Sequence, residues 1–388
     1  MTEHIRYIDT RESLVALCRQ LETTSWLALD TEFLREKTYY PKLCLIQLAS
    51  SDIQACVDPL AIDDLGPLLD LIYRPQITKV FHAARQDLEI FHRLRGEVPG
   101  PVFDTQLAAP LLGHGEQIGY GKLVEAELGM RLDKNHARAD WTRRPLPQAQ
   151  LRYALDDVVY LAQLYPRMRD KLAQKQRLAW LEQEFAQLLH EENYTNPPEQ
   201  AWRRIRNARR LKPGQLGVLK TLAAWRERRA QASDRPRNWL CRDDVLIDLA
   251  RLQPDSLAEL SHIRGLPEKL LQREGHTLLE LIRQGKQMEI EAEDHTRPQK
   301  LGLAQQAVVD VLMALINLRA EEQGISPASL AARKDVEKLV AGDDDSKLLH
   351  GWRRAMIGED LLAMLQGRRS LHMEQGRLRI CETASGQD

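Results

Sequence analysis

Strand-like apolar runs crowd the first two hundred residues of this chain, and beyond about Leu211 they stop. Trp26–Glu32, Leu43–Leu48, Ile53–Val57 and Ile77–Phe81 read as strands. Ser13–Leu21, Leu65–Tyr73, Leu88–Leu94, Thr105–Leu112 and Gln148–Leu164 carry helical spacing instead. The early strands run almost consecutively and then give way to strand–helix units. That order predicts a mixed sheet with helices packed on it, an α/β fold. Asn196-Pro-Pro198 then breaks the chain as a linker. Leu216–Ala230, Arg242–Arg251, Ser256–Ser261 and Leu278–Gln284 follow with helical spacing only, and polar Asp294–Gln299 reads as a second linker. A further helical segment runs from Leu303 to about Ile380. Arg229-Ala230 recurs as Arg319-Ala320, and Arg242-Asp-Asp-Val245 loosely as Arg333-Lys-Asp-Val336. The offset of about ninety residues suits a duplicated small helical domain rather than a solenoid.

A chain of 388 residues has room for two or three domains, and 43% hydrophobic with 29% charged residues is ordinary globular composition. The polar opening MTEHIRYIDT lacks a signal pattern, and no apolar run of membrane-spanning length stands out. Five scattered cysteines without a CxxC argue against a disulfide framework or a zinc knuckle. These features lead us to expect a cytoplasmic chain with no membrane partner. The net charge of −1 hides an asymmetry. Ala201–Arg242 holds 13 Arg/Lys against Glu227 and Asp234, about +11, leaving about −12 elsewhere. A basic block beside an acidic body points to a polyanion such as nucleic acid, or else to a solvated helix face.

Within Leu27-Ala-Leu-Asp-Thr-Glu32, alternation puts Ala28, Asp30 and Glu32 on one face and Leu27 and Leu29 on the other. Two carboxylates on one face of a central strand would repel and be costly to bury, unless a divalent cation joins them or the strand end meets water. In Tyr153-Ala-Leu-Asp-Asp157, Tyr153 and Asp157 lie four apart and can converge, whereas Asp156 is turned about 100° away. Phe81-His-Ala-Ala-Arg-Gln-Asp87 leads from a strand into a helix, where sites of α/β proteins gather. Asp87 is the candidate there, with His82 and His92 as alternatives.

The set Asp30, Glu32, Asp87, Tyr153 and Asp157 resembles the DEDD exonuclease superfamily in its tyrosine variant. Leu29-Asp-Thr-Glu-Phe33, Thr38-Tyr-Tyr-Pro41, Leu45-Ile-Gln-Leu48, Phe103-Asp-Thr-Gln106, Asp140-Trp141, Arg144-Pro-Leu146 and Gln150–Ala154 narrow the resemblance to the ribonuclease D family. Trp225-Arg226, Pro254-x-Ser256-Leu257 and Ile263-x-Gly265 are similar to the HRDC domain. The resemblance implies an RNase H-like α/β exonuclease domain over residues 1–195. It also implies two small all-α domains, an HRDC domain over 211–291 and a divergent HRDC-like copy over 298–381.

By that resemblance the activity is 3′–5′ exoribonucleolytic, releasing nucleoside 5′-monophosphates, with tRNA precursors among the RNA substrates and the chain a monomer. Two Mg²⁺ or Mn²⁺ ions are implied, with Asp30 bridging, Glu32 and Asp157 completing the first site, and Asp87 holding the second. Tyr153 with Glu32 would orient the attacking water. Asp104 is expected to cap a helix. Arg226, Arg228, Arg229, Arg235, Arg237 and Arg242 are expected to form a phosphate-contacting surface. A DNA-directed exonuclease and a non-catalytic RNA-binding protein on the same fold are the competing readings. The five intact motif residues disfavour the second, and the lack of a GxxxxGK[ST] loop disfavours a helicase or nucleotidyltransferase.

Overall fold

The computed structural model describes residues 5–132, 139–291, 301–343 and 345–382. They pack as two units, one of residues 1–32, 44–190 and 299–388, the other of 33–43 and 191–298.

The first unit is built on a six-stranded sheet. Its strands are β1 (Tyr7–Ile8), β2 (Trp26–Leu34), β3 (Lys42–Ala49), β4 (Gln54–Val57), β5 (Thr78–Phe81) and β6 (Val102–Asp104). The order is β1-β4-β3-β2-β5-β6. β1 runs parallel to β4 and β3 antiparallel to it, while β2, β5 and β6 are mutually parallel along their ladder. The sheet is mixed, as the strand order predicts. β2 lies inside it, and Leu27, Ala28 and Leu29 are fully buried. β1 and β6 escape a reading by period because two and three residues carry too little of one.

Helices α1 (Arg11–Gln20), α2 (Gly66–Ile72), α3 (Arg85–Arg95), α4 (Thr105–Ala108), α5 (Tyr120–Leu128), α6 (Gln148–Gln174) and α7 (Leu178–Leu188) accompany the sheet. α6 packs on β4 and β5 and runs ten residues beyond the end expected at Leu164, with Pro166 inside it. Proline costs a helix one hydrogen bond, and here a buried apolar face from Leu151 to Leu172 outweighs that loss. Two polar anchors fix α6. Before it, Arg144 reaches both oxygens of Asp58 at 2.6 and 2.7 Å and the Cys44 carbonyl at 2.7 Å. Along it, buried Glu127 of α5 accepts from Lys171 at 2.6 Å, Arg167 at 3.2 Å and His114 at 2.8 Å.

The same unit contains the C-terminal segment, with α13 (Leu303–Gln323), α14 (Pro327–Leu330), α15 (Arg333–Val340) and α16 (Glu359–Leu365). By length and composition α13 could cross a membrane, contrary to the sequence expectation, but Val309, Leu312, Leu315, Ile316 and Ala320 are buried in the segment's own core. The segment docks on the exonuclease fold. Trp180 stacks on Trp352 with centroids 5.0 Å apart, and buried Arg177 donates to the carbonyls of Leu111 and Gln323. An all-helical end to the chain is not what forms: β7 (Arg369–Glu374) and β8 (Arg377–Glu382) make an antiparallel hairpin. The two residues joining them, Gln375 and Gly376, have φ of 49° and 78°, the pair of positive values a type I′ turn requires.

In the second unit, α8 (Pro213–Ser233), α9 (Arg237–Leu240), α10 (Asp243–Leu252), α11 (Leu257–Ser261) and α12 (Glu268–Lys286) enclose one apolar core. α8 and α12 touch backbone to backbone at Gly217 and Gly285, where a Cβ on Gly217 would sit 2.3 Å from the Gly285 oxygen. The loop 33–43 belongs here as well. The Tyr39 hydroxyl donates to buried Glu227, and the amides of Tyr39 and Tyr40 donate to Asp234 at 3.1 and 3.0 Å.

Candidate active site

Three elements of the first unit meet at one group of acids. β2 supplies Asp30 and Glu32, α6 supplies Asp157, and one oxygen from each lies within 4.8 Å of the others. α3 supplies Asp87, which is buried and accepts from the Thr31 hydroxyl at 2.6 Å. Thr31 stands between the two acids of β2, so the strand also orients the acid from the helix. The Tyr153 ring lies one turn before Asp157 on α6, 6.3 Å from the ring of buried Trp141. Asp156 is outside the cluster, as its rotation on the helix requires.

The electrostatics are those of carboxylates forced together. Burial, and then the charge of Asp157, holds the Asp30 carboxyl well above the usual range. Burial and then Asp30 do the same to Asp87. Glu32 is pushed up to about 9 by burial and then by Asp30, Asp157 and Asp87. Asp157 rises to about 7 through burial, then Asp156 and Asp87. The charges acting on these four are carboxylates alone, so burial and mutual repulsion both favour their protonated forms. Hard oxygen donors at this separation suit a divalent cation, whose charge would offset that repulsion. Burial and then Asp157, Glu32 and Asp30 raise the Tyr153 phenol, which keeps it a neutral donor.

The helix carrying Asp87 is set by Asp104. Its carboxylate accepts from the Gln106 amide at 2.8 Å, capping α4 as expected. It also accepts from the Ala83 and Ala84 amides at 3.0 and 2.9 Å, in the turn that enters α3. Ala83 has φ of 62°, a left-handed conformation unusual for alanine, so one carboxylate holds a strained turn and two helix starts. His82 has both ring nitrogens occupied, by Thr105 and the Ile118 carbonyl at 3.0 Å each. It is a local structural donor, and Asp87 is the residue that joins the acids. Tyr120 was not legible in the sequence. Its hydroxyl donates to the Asp156 carbonyl at 3.0 Å, and its phenol feels Asp157 and Asp30.

Residues 5–173 match the family model for a 3′-5′ exonuclease, and residues 215–282 match that for the HRDC domain. The ribonuclease D of Sphingobium indicum is 40% identical over 97% of this chain and 98% of its own length. That of Zymomonas mobilis is 40% identical over 96% of each. The chain belongs to the ribonuclease D family. A solved member, Escherichia coli RNase D, described as an exoribonuclease involved in structured RNA processing, superposes with a TM-score of 0.82. It is 34% identical, covering 94% of this chain and 99% of that one. The family thus accounts for the α/β exonuclease fold and the helical HRDC region after it. The HRDC match ends at residue 282, so a second HRDC-like domain over 298–381 rests on sequence alone.

The arginines expected on a ribonuclease D surface are corrected in part. Arg226 is 2% exposed, donates to the Cys241 carbonyl at 2.7 Å and pairs with Asp243 at 2.7 Å. It cannot lie on an open phosphate-contacting face. Arg228 pairs with Glu199, Arg229 with Glu274, Arg237 with Glu227 and Arg242 with Asp244. Three of these acids lie outside Ala201–Arg242, so the block's +11 is partly neutralised by chain the charge count left out. Arg235 is exposed.

Proposed function

We propose that this chain, a 3′–5′ exoribonuclease by family, hydrolyses RNA 3′ ends with Asp30, Glu32, Asp87 and Asp157 as ligands to two divalent ions. The observation that carries the reading is the convergence of Asp30, Glu32 and Asp157 within 4.8 Å, with only carboxylate charge acting on them. Bound there, Mg²⁺ or Mn²⁺ would supply an activated water and offset charge on the leaving oxygen. In this reading Asp30 would serve both ions, Glu32 and Asp157 would complete the ligands of one, and Asp87 would serve the other. Tyr153, kept neutral by its surroundings, donates its phenolic hydrogen toward the attacking water, while Glu32 accepts from it. Thr31 holds Asp87 and Tyr120 holds the Asp156 carbonyl, so the acids are oriented before substrate arrives. The substrates are structured RNAs, tRNA precursors among them, in the cytoplasm, and the chain works as a monomer. Free cysteines, four of them buried, agree with a reducing compartment.

The test is incubation of 3′-extended RNA and the matching DNA, with and without EDTA, with products resolved by length. Stepwise loss of single nucleotides from RNA, abolished by chelator and by a 3′ phosphate, is expected. Undiminished activity in excess EDTA would remove the two-ion mechanism. Equal rates on DNA would remove the substrate assignment.

A further inference from the structure

The second unit holds a half-open cavity of about 460 Å³ whose walls come from four separate stretches of chain. The loop 33–43 gives Arg35, the stretch before α8 gives Arg204, α8 gives Arg226 and α9 gives Arg237. Four guanidinium groups offer donors only, five N–H each, and no acceptor. Three carboxylates stand against them, Glu36 and Asp243 in the lining and Glu227 beneath it. Asp243 takes one edge of Arg226, whose Nε is buried and has no hydrogen-bond partner. Glu227 lies beneath and accepts from Arg204 and Arg237 at 3.5 Å each, long for charge-assisted bonds. Arg204 and Arg237 remain 38% and 37% exposed, so solvent and ligand reach them. Asn196, Thr38 and exposed Asn238 supply further polar lining. The buried Arg226 Nε is the donor left for a further acceptor-rich anion.

We propose that the cavity is a phosphate-binding site whose occupant is a backbone phosphodiester of the RNA substrate, with an adjoining nucleoside inside the remaining volume. The inference rests on the exoribonuclease reading above and adds a specific grip on the RNA to it. An arginine fork matches the two unbridged oxygens of a phosphodiester, whereas lone lysines on an open face would act as point charges. β2 runs on past Glu32 to Leu34 and then leads into the loop with Arg35, so the chain that carries the acids also carries Arg35. This site also explains why Arg226 is buried: it braces the cavity wall by holding the Cys241 carbonyl and Asp243.

The experiment measures binding of a labelled single-stranded oligoribonucleotide to the full chain in EDTA, which prevents hydrolysis, across a range of salt. Asn238→Glu places a carboxylate in the cavity wall without removing an arginine or a buried contact, so folding is retained and is checked by thermal midpoint. It should weaken binding about tenfold and flatten the slope of log K against log salt by about 0.7, one single-strand phosphate contact. Arg228→Gln and Arg242→Gln alter the same basic block outside the cavity and should weaken binding less. Parental affinity for Asn238→Glu would overturn the site. If Arg228→Gln and Arg242→Gln then weakened binding, the exoribonuclease reading would stand without the cavity. A further arm adds inorganic phosphate or AMP. Thermal stabilisation by either in the parent alone, with RNA affinity equal in parent and Asn238→Glu, would assign the cavity to free phosphate and overturn the RNA assignment.

Discussion

Beyond burial, the charge of Asp30 raises Glu32 and Asp87, and Asp157 raises Asp30 in turn. Asp30→Asn should therefore abolish nearly all hydrolysis while leaving the thermal midpoint of the metal-free chain unchanged or higher, because repulsion is relieved. A midpoint well below the parent's would mean that Asp30 has a structural partner the cluster does not reveal. Tyr153→Phe should lower kcat strongly with little change in KM, since orienting water matters mainly in the transition state. An effect on KM alone would make Tyr153 a binding group. The raised carboxyl groups also set a pH dependence. Protons are held more tightly in the folded chain than in the unfolded, so the metal-free stability they contribute is complete below the unfolded pKa near 4. It is lost as pH rises through about 7 for Asp157 and about 9 for Glu32. The midpoint gained on adding Mg²⁺ should accordingly grow between about pH 5.5 and 8.5. A gain that shrank with pH would contradict the cluster's electrostatics. Asp30 with Glu32, and Tyr153 with Asp157, were legible because two periods, 2 in the strand and 3.6 in the helix, fix which side chains share a face, whereas Asp87 was set above His82 and His92 only by the family resemblance. Tyr120 was not legible, since its role depends on a contact 36 residues away with no local pattern.

At the scale of elements, the chain's strongest periods were read and its shortest elements were not. β2 and α6 stand where apolar spacing puts them. The β7–β8 hairpin stands where helical spacing is expected, because Leu371, Met373, Leu378 and Ile380 alternate over only six residues a strand. Its Gln-Gly turn was the available signal. Asp104 shows a different limit. A helix cap is local and was expected, but its second task, holding the Ala83–Ala84 amides, joins β6 to the start of α3 across 20 residues. That makes Asp104 the element-level support for Asp87. Asp104→Ala should strand the amides of Ala83, Ala84 and Gln106 and release the strained turn, costing about 2–4 kcal/mol from two lost caps. Denaturant unfolding should show that loss, with a fall in kcat at saturating Mg²⁺. Asp104→Asn, which keeps one acceptor oxygen, should lose less. Equal stability of Asp104→Ala and the parent would mean that α3 is set by its apolar face alone.

For the whole molecule, the sequence suggests beads on a string: a nuclease followed by two helical domains. The packing differs because long-range contacts ignore chain order. The loop 33–43 packs with residues 191–298, and the C-terminal segment packs with the nuclease at α7. Nothing local in Tyr39 announces that its hydroxyl meets Glu227, 188 residues away. A truncation at the first linker would strip that loop of its partners, so it is a poor test of the nuclease alone. Removal of residues 299–388 asks a cleaner question. It takes Trp352 from Trp180, Arg353 from Glu184, and the Gln323 carbonyl from Arg177, a guanidinium only 6% exposed. The aromatic stack and the bonds to charged groups together amount to a loss on the order of 3 kcal/mol. For a unit of this size that corresponds to a midpoint lower by about 6–12 °C. Scanning calorimetry of residues 1–298 against the full chain measures it, with hydrolysis of a short oligoribonucleotide read in parallel below both midpoints. Activity on the short substrate should survive there, because no residue of the acid cluster comes from the removed segment. An unchanged midpoint would make the C-terminal segment an independent domain after all, and its contacts with α7 would carry no energy.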